Sequence, residues 1–478
     1  MTYSNRDSIY VGGKWQPSAS PDTIEVTSAA TSEVIATVPG GHSDDVDRAV
    51  RAARDAFVPW SETDLSSRLD VLAQLEKKLE EHADELARMI STEVGTPIKV
   101  SEFVQAGLPR RVLRSYREVL STLPLEERVG DSLVVREPIG VVAAITAWNF
   151  PLQQVVQKVG AALATGCTVV VKPSEVAPLS AFAVADMLDE IGLPPGVFNL
   201  LSGTGATVGE SLVGHPEVDM ITFTGSTGAG RRVGEVAART VKRVALELGG
   251  KSANILLDDA DLPRAIKVGV ADCFTNSGQV CTALTRMLVP RRSLGEVEDL
   301  VRDRLRRYRL GDPLDDATTM GPLATAAQRD RVLGYFQRAL DEGATLIEGG
   351  TKAPSDVPAG YFVRPTAFTV TRDMAIASEE VFGPVLSVIP YDTEDEAVAI
   401  ANDSIYGLAG AVWSGDPDRA RRVARRLRTG SVDINGSYFN PLAPFGGYKQ
   451  SGNGRELGTY GFDEFYELKA IQEPSTQS

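Results

Sequence analysis

Val141-Val142-Ala143-Ala144-Ile145 and, further along, Thr168-Val169-Val170-Val171-Lys172 are short β-rich runs set between helical stretches. The same alternation continues to Leu248. It predicts strands at Val141–Ile145, Thr168–Lys172, Val197–Leu201, Met220–Phe223 and Lys242–Glu247. The helices between them are clearest at Leu152–Ala164 and Leu179–Ile191, where Gly192-Leu193-Pro194-Pro195-Gly196 is a stop signal. Strand, helix and strand in this order predict a parallel, doubly wound α/β sheet of the dinucleotide-binding type.

Upstream, Asp44–Phe57 and Ser66–Glu93 carry apolar residues at helical spacing, among them Leu69, Leu72, Leu75 and Leu79, and are expected to pack on that sheet. Downstream, a second α/β unit is predicted. Its strand-like runs are Met287–Val289, Thr345–Ile347, Leu386–Ile389, Gly410–Trp413 and Ser431–Ile434. Its helices are Arg264–Asn276, Leu294–Arg307, Ala326–Asp341, Glu394–Asn402 and Pro417–Leu427. Two further strand-like pieces, Leu123–Glu137 and Phe465–Gln472, belong to neither unit by order, and unpaired edges call for a partner. The tail Glu473–Ser478 reads as frayed.

A chain of 478 residues exceeds one ordinary core, and 43% hydrophobic residues supply ample material to bury. The balance of 64 acidic to 49 basic residues, a formal charge of −15, disfavours a general role on nucleic acid or an anionic membrane. Three cysteines and three histidines (His42, His82, His215) show no zinc or disulfide spacing, so no metal is expected. No stretch has the length of a membrane span and Met1–Trp15 lacks a signal pattern, which reads as a soluble, cytoplasmic protein.

The residues that carry chemistry lie at the ends of these elements. Asn276-Ser277-Gly278-Gln279-Val280-Cys281 places a thiol just after the break that follows a helix. A free thiol is mostly protonated at neutrality, so a nucleophilic cysteine needs a base, a cation or a dipole beside it. Glu247-Leu248-Gly249-Gly250-Lys251 puts a carboxylate at the carboxyl end of a strand, where open α/β sheets bind ligands, with two glycines that permit close approach and positive φ. Cys167, beside a strand, and Cys273, inside a helix, read as core. Asn149 follows a strand and precedes Pro151, which starts the next helix. Gly225-Ser226-Thr227-Gly228-Ala229-Gly230 joins a strand to a helix, so its N–H groups and the helix dipole suit a phosphate.

Together with Trp148-Asn149-Phe150-Pro151, Lys172-Pro173-Ser174-Glu175, Glu380-Val381-Phe382-Gly383-Pro384 and Pro444-Phe445-Gly446-Gly447-Tyr448-Lys449, these blocks resemble the aldehyde dehydrogenase superfamily over almost the whole chain. The resemblance implies a Rossmann-like cofactor domain (1–122 and 138–249), a second α/β catalytic domain (250–450) and a small β oligomerisation part (123–137 and 451–478), in a homodimer or homotetramer. It implies Cys281 as nucleophile, Glu247 as the base that activates water, and Asn149, with the backbone N–H of Cys281, as the oxyanion hole. Trp148, Lys172, Ser174, Glu175, Gly225, Ser226, Leu248, Glu380 and Phe382 would hold the cofactor. Phe150, Gln153, Gln154, Gln157, Thr275, Val280, Thr282 and Phe445 would border the substrate tunnel, a set more polar than an all-apolar lining.

The resulting expectation is an enzyme that oxidises a small-molecule aldehyde to the acid through a cysteine thiohemiacetal and a thioester cleaved by water. NAD should be preferred and NADP possible. A carboxylate at Glu175 accepts hydrogen bonds from a ribose 2′-hydroxyl and repels a 2′-phosphate, whereas Lys172 could pair with that phosphate. Two alternatives stay open: a relative that passes its acyl group to coenzyme A, disfavoured by Glu247, and a catalytically silent structural member of the fold. A cofactor-free cysteine hydrolase is disfavoured because no histidine lies near Cys281 or Glu247 in sequence.

Overall fold

The computed structural model describes residues 5–355 and 357–474. The five strands predicted from the alternating runs form one sheet, in the order Arg243–Glu247, Met220–Thr224, Val141–Ile145, Thr168–Lys172, Phe198–Leu200, all parallel. Val141–Ile145 comes first in the chain and sits in the middle. The chain winds outward from it to one side and then to the other, which opens a crevice at the carboxyl ends of Val141–Ile145 and Met220–Thr224.

Both faces of this sheet are covered. Val142, Ala144, Val169 and Val171 join the core formed with Leu152, Val155, Val156 and Phe182. Their neighbours Val141, Ala143, Ile145 and Val170 point the other way, onto Val46, Ala49, Val50 and Val233. Alternation of side chains along a strand therefore feeds two helical layers at once, which explains the nearly unbroken apolar runs.

Two antiparallel additions lie outside the sequence reading. The hairpin Ser8–Val11/Lys14–Pro17 extends the sheet beyond Phe198–Leu200, and Gly452–Asn453 pairs with Leu246–Glu247 at the opposite edge. The expected helix Ser66–Glu93 is two helices, Leu65–Glu81 and Ala83–Val94, broken at His82. Gly107–Leu120, which the sequence reading left out, is also helical, burying Val112, Leu113, Tyr116 and Leu120.

The second sheet runs Thr345–Glu348, Thr366–Thr369, Val385–Tyr391, Arg286–Pro290, Ala253–Leu256, Gly410–Trp413, Asp433–Ile434, parallel except for its first pair. Ala253–Leu256 and Thr366–Thr369 were not foreseen. Each is four residues long with a polar residue in the run, too little for a pattern argument. The expected strand Ser431–Ile434 shrinks to Asp433–Ile434, and the expected helix Pro417–Leu427 stops at Ala424.

The two leftover pieces find each other. Tyr466–Gln472 pairs antiparallel with Ser132–Pro138, and that strand pairs with Glu126–Val129. The premise that they lack a sheet within their own chain is thus corrected, since the partners lie too far apart in sequence for any local pattern to match them. The stretch expected as one oligomerisation segment from 451 onward divides. Gly452–Asn453 belongs to the first sheet, and the helix Gly458–Asp463 sets Phe462 against Tyr116 with ring centroids 4.9 Å apart. Only Tyr466–Gln472 joins the small sheet. Of the tail expected to fray, Glu473 is tied down, its N–H donating to the Asp131 carbonyl at 3.0 Å, while residues 475–478 lie outside the described residues. Among the described residues no helix is long and apolar enough to cross a membrane.

Candidate active site

The turn that presents Cys281 is built from backbone that side chains resist. The helix Leu262–Phe274 ends, and Asn276 (φ 51°), Ser277 (φ 57°) and Gly278 (φ 72°) follow in the left-handed region. Two non-glycine residues there in succession are strained and must be held by their surroundings. The Asn276 amide donates to the Asn149 carbonyl at 3.0 Å and its Oδ1 accepts from Thr96 Oγ1 at 2.6 Å. Ser277 Oγ donates to the Gly321 carbonyl at 2.8 Å, and Gln279 closes the turn by donating to the Asn276 carbonyl while accepting from the Ala324 N–H. Gly278 is required twice over, because a Cβ there would overlap the Gly383 carbonyl.

Asn149 stands opposite this turn, almost fully buried. Its Nδ2 donates to the Gln279 carbonyl at 2.9 Å, and its Oδ1 accepts from Gln154 Nε2 at 2.9 Å. One amide N–H remains uncommitted. Gln105, which the sequence reading missed, donates to the Asn149 carbonyl at 2.8 Å.

Glu247 ends its strand directly beside Thr224, so the glutamate and the Gly225 loop share the carboxyl edge of the sheet. The glycines after it serve close approach. A Cβ on Gly249 would overlap the Glu380 carboxylate and one on Gly250 would overlap the Cys281 carbonyl. Neither has positive φ, so that part of the sequence argument is corrected. The strand is sutured from the chain's far end: Leu248 N–H donates to the Ser451 carbonyl at 2.9 Å and Ser451 Oγ to the Gly249 carbonyl at 2.6 Å.

Burial governs the electrostatics. Glu247 is buried and neither carboxyl oxygen has a hydrogen-bond partner. Desolvation, and after it the charge of Glu456, push its pKa well above the usual carboxylate range, while Lys158 and Arg455 pull the other way. Burial pushes the Cys281 thiol up to about 12, with the charges of Glu247 and Glu380 adding to the effect. Each acid therefore opposes ionisation of the other, and the resting pair does not carry two negative charges.

Beneath Glu247 lies a network the sequence reading did not find. Lys158 Nζ bonds both Glu456 and Thr222 Oγ1, the latter at 3.0 Å, and Gln157 Nε2 donates to the other Glu456 oxygen. Gln153 Nε2 donates to Gln157 Oε1 at 2.7 Å. Lys158, next to the already named Gln157, lies on the helix that follows Asn149, a position that could have flagged it. Nothing local marks Glu456 as their partner.

The other candidates fall into two groups. At the first, Ser226 caps the helix Thr227–Ala237, accepting from the Ala229 N–H at 3.3 Å, and Gly228 faces open space, so an anion can approach the N–H groups of Thr227 and Gly228 in the helix's first turn. Lys172, buried, reaches Glu175 at 3.0 Å, and Ser174 Oγ accepts from the Val176 N–H. Leu248 fills the space beside Gly230. Glu380 accepts from the Gly250 N–H at 2.9 Å, and Trp148 meets Phe382 edge-to-face at 5.4 Å. This set fits an extended dinucleotide: a helix N-terminus for the diphosphate, a Lys-Glu pair for one ribose, and Glu380 with an aromatic pair for the other end.

At the second group, Phe150, Thr275, Val280, Thr282 and Phe445 are all partly exposed, and Phe445 packs on Phe439 at 6.2 Å. The glutamines expected beside them are otherwise engaged. Gln153 and Gln157 bond as described, and Gln154 Oε1 accepts from the Ala147 N–H at 2.6 Å. Cys167 and Cys273 are buried, each S–H donating to a backbone carbonyl, whereas Cys281 is only partly buried.

The thiol of Cys281 thus lies near enough to the unpartnered Glu247 carboxyl to feel its charge, and the Asn149 amide is bonded to the Gln279 carbonyl two residues before it. The family model of the aldehyde dehydrogenase family matches residues 15–471, and the chain belongs to that family. It is 49% identical over 470 residues, 97% of this chain and 98% of the relative, to the 3-succinoylsemialdehyde-pyridine dehydrogenase of a Pseudomonas species. The crystal structure of a mutant aldehyde dehydrogenase C from Pseudomonas syringae with NAD+ and octanal superposes with a TM-score of 0.97 at 48% identity, covering 98% of this chain and 97% of that one. The aldehyde dehydrogenase of Mycobacterium tuberculosis with NAD+ gives a TM-score of 0.97 at 41% identity, covering both chains fully.

Proposed function

We propose that the protein oxidises an aldehyde to its carboxylic acid with NAD, by nucleophilic attack of Cys281 and hydrolysis of the resulting thioester. The observation that carries this is the convergence of Cys281, Asn149 and Glu247 beside the dinucleotide cradle. Cys281 gives up its S–H proton to water as Sγ bonds to the aldehyde carbon, and the oxygen that becomes anionic as the C=O π bond breaks is received by the free N–H of Asn149 and the backbone N–H of Cys281. Bound NAD supplies the acceptor for the hydride that leaves that carbon. Glu247, as carboxylate, then takes a proton from water, whose oxygen bonds to the thioester carbon; the C–S bond breaks, the acid leaves and the proton on Glu247 passes to the departing sulfur.

The cofactor preference rests on Glu175, whose carboxylate suits a ribose 2′-hydroxyl. Gln154, Gln157 and the Gln153 Nε2 bond within the protein, which leaves Phe150, Thr275, Val280, Thr282 and Phe445 to meet the substrate, two small hydroxyls among three apolar side chains. That points to an apolar aldehyde. The units 1–122 with 138–249 and 250–450 act as cofactor and catalytic domains. The strand Tyr466–Gln472, paired on one side only and carrying exposed Leu468 and Ile471, offers an edge to a second copy, in a homodimer or homotetramer. Three free cysteines suit a reducing cytoplasm.

The test is the near-ultraviolet absorbance of reduced nicotinamide on mixing enzyme, NAD and a panel of aldehydes. Turnover without coenzyme A, highest for medium-chain aliphatic aldehydes, is expected. Turnover only with coenzyme A would support the acylating alternative, and none at all the silent one. Light scattering of the active enzyme reads the assembly, for which a monomer mass would refute the edge argument.

A further inference from the structure

Gln154 sits in the first turn of the helix that Pro151 opens, and its side chain folds back over the helix start. There it makes two bonds of opposite sense: Oε1 accepts from the Ala147 N–H at 2.6 Å and Nε2 donates to Asn149 Oδ1 at 2.9 Å. The first bond fixes the second. A backbone N–H can only donate, so the end of Gln154 facing Ala147 must be oxygen and the end facing Asn149 must be NH2. That in turn requires Asn149 to present oxygen to Gln154 and nitrogen to the Gln279 carbonyl, which can only accept. The chain of polarity runs without a break from one backbone group to another. Its by-product is that the spare N–H of Asn149 points away from Gln154.

We infer that Gln154 is a positioning residue that sets which way the Asn149 amide faces, and so whether the oxyanion receives a donor or meets an oxygen. This deepens the proposed function and rests on its reading of Asn149. An amide flipped by half a turn keeps its shape and reverses its dipole. Packing alone cannot prevent the flip, whereas a hydrogen-bond partner of fixed polarity can.

Gln154→Glu tests this because it separates fold from chemistry. The carboxylate still accepts from the Ala147 N–H, and a negative charge in the first turn favours the helix. It cannot donate to Asn149 Oδ1, and a charge-assisted bond to the new carboxylate outweighs the neutral bond to the Gln279 carbonyl, so Asn149 is driven to give up the latter and turn its oxygen toward the reacting centre. The expected result is a melting temperature and NAD affinity like those of the original, with the pre-steady-state burst rate down about a hundredfold, the scale of a lost oxyanion donor. The loss should fall on kcat and kcat/KM together, since KM binding contacts are untouched. Gln154→Met, which fills the space without imposing polarity, should lose only about tenfold on the same scale. In an Asn149→Ala background, Gln154→Glu should cost nothing more, because the amide it would misorient is gone. A burst rate within twofold of the original in a folded Gln154→Glu overturns the inference, as does an equal loss in the Asn149→Ala background. If Asn149→Ala itself leaves the burst unchanged, the reading of Asn149 fails instead.

Discussion

The two walls of the active site are built on opposite plans. On one, Asn149, Asn276 and Gln279 are knitted into hydrogen bonds with Thr96, Gln105, Gln154 and Ala324. On the other, Glu247 stands buried with both oxygens bare. The contrast follows from what each wall does. A donor that stabilises charge gains most when it is fixed before the charge arrives, so bonds that hold it add to catalysis. A base must change protonation during the cycle, and bonds that held its carboxylate form would lower its pKa and weaken it. Rigid bonding on one side and bare burial on the other are both means of tuning one electrostatic site.

Substitutions can break this contrast, and the largest effect falls on the group both walls serve. Cys281→Ala should remove aldehyde oxidation by roughly a thousandfold or more while NAD still titrates the protein fluorescence, because the group that attacks the carbonyl is gone. Residual oxidation at a tenth of the original rate would move the nucleophile elsewhere. On the bare wall, Glu247→Gln should slow deacylation by about 10²–10⁴ and leave a burst of reduced cofactor followed by a slow steady state. Unaltered steady turnover would take Glu247 out of the mechanism.

The pH profile sharpens the same point. A pKa raised by burial means that the carboxylate form of Glu247 grows at pH values above the usual carboxylate range, so the deacylation rate should climb as pH rises and flatten in Glu247→Gln. A rate that falls over that range contradicts the burial argument. For the thiol, a value of about 12 predicts that alkylation of cofactor-free enzyme by iodoacetamide rises steadily from neutral to alkaline pH without a plateau, with Cys281→Ala as the blank. A plateau near neutrality would show a thiolate already present at rest. The smallest effect is at the cofactor's far end, where Glu175→Gln should shift the NAD/NADP ratio of kcat/KM a few-fold, on the order of the energy of one surface charge contact, toward NADP. An indifferent ratio would place Glu175 outside the ribose site.

What was legible in the sequence follows a physical boundary. The five strands of the first sheet were readable because burial on both faces makes each an apolar run, and the helix after Asn149 because Pro151 marks its start. Ala253–Leu256, though central in its sheet, was missed: four residues including Asn254 carry no periodic signal, and its burial is imposed by neighbours from elsewhere in the chain. The glutamines were named as site residues without their partners Ala147, Asn149 and Glu456, which are decided by how the helix sits on the sheet. The strand Tyr466–Gln472 was recognised as strand-like, yet its partner Ser132–Pro138 was not.

By itself the sequence determined the chemical kind of this protein: which thiol, which carboxyl and which amide are present, and that each stands at or just past the end of a strand or helix of an α/β unit. These depend on short-range order, where propensity, turn residues and periodicity are encoded within a few positions. The tertiary structure alone decided that Glu247 is bare and lies near Glu456, that Gly249 and Gly250 are needed for contact and not for positive φ, and that Gln154 faces Asn149. Those are relations between groups far apart in the chain, set by packing and by the polarity of hydrogen-bond partners, and no local pattern records which distant group will be the partner.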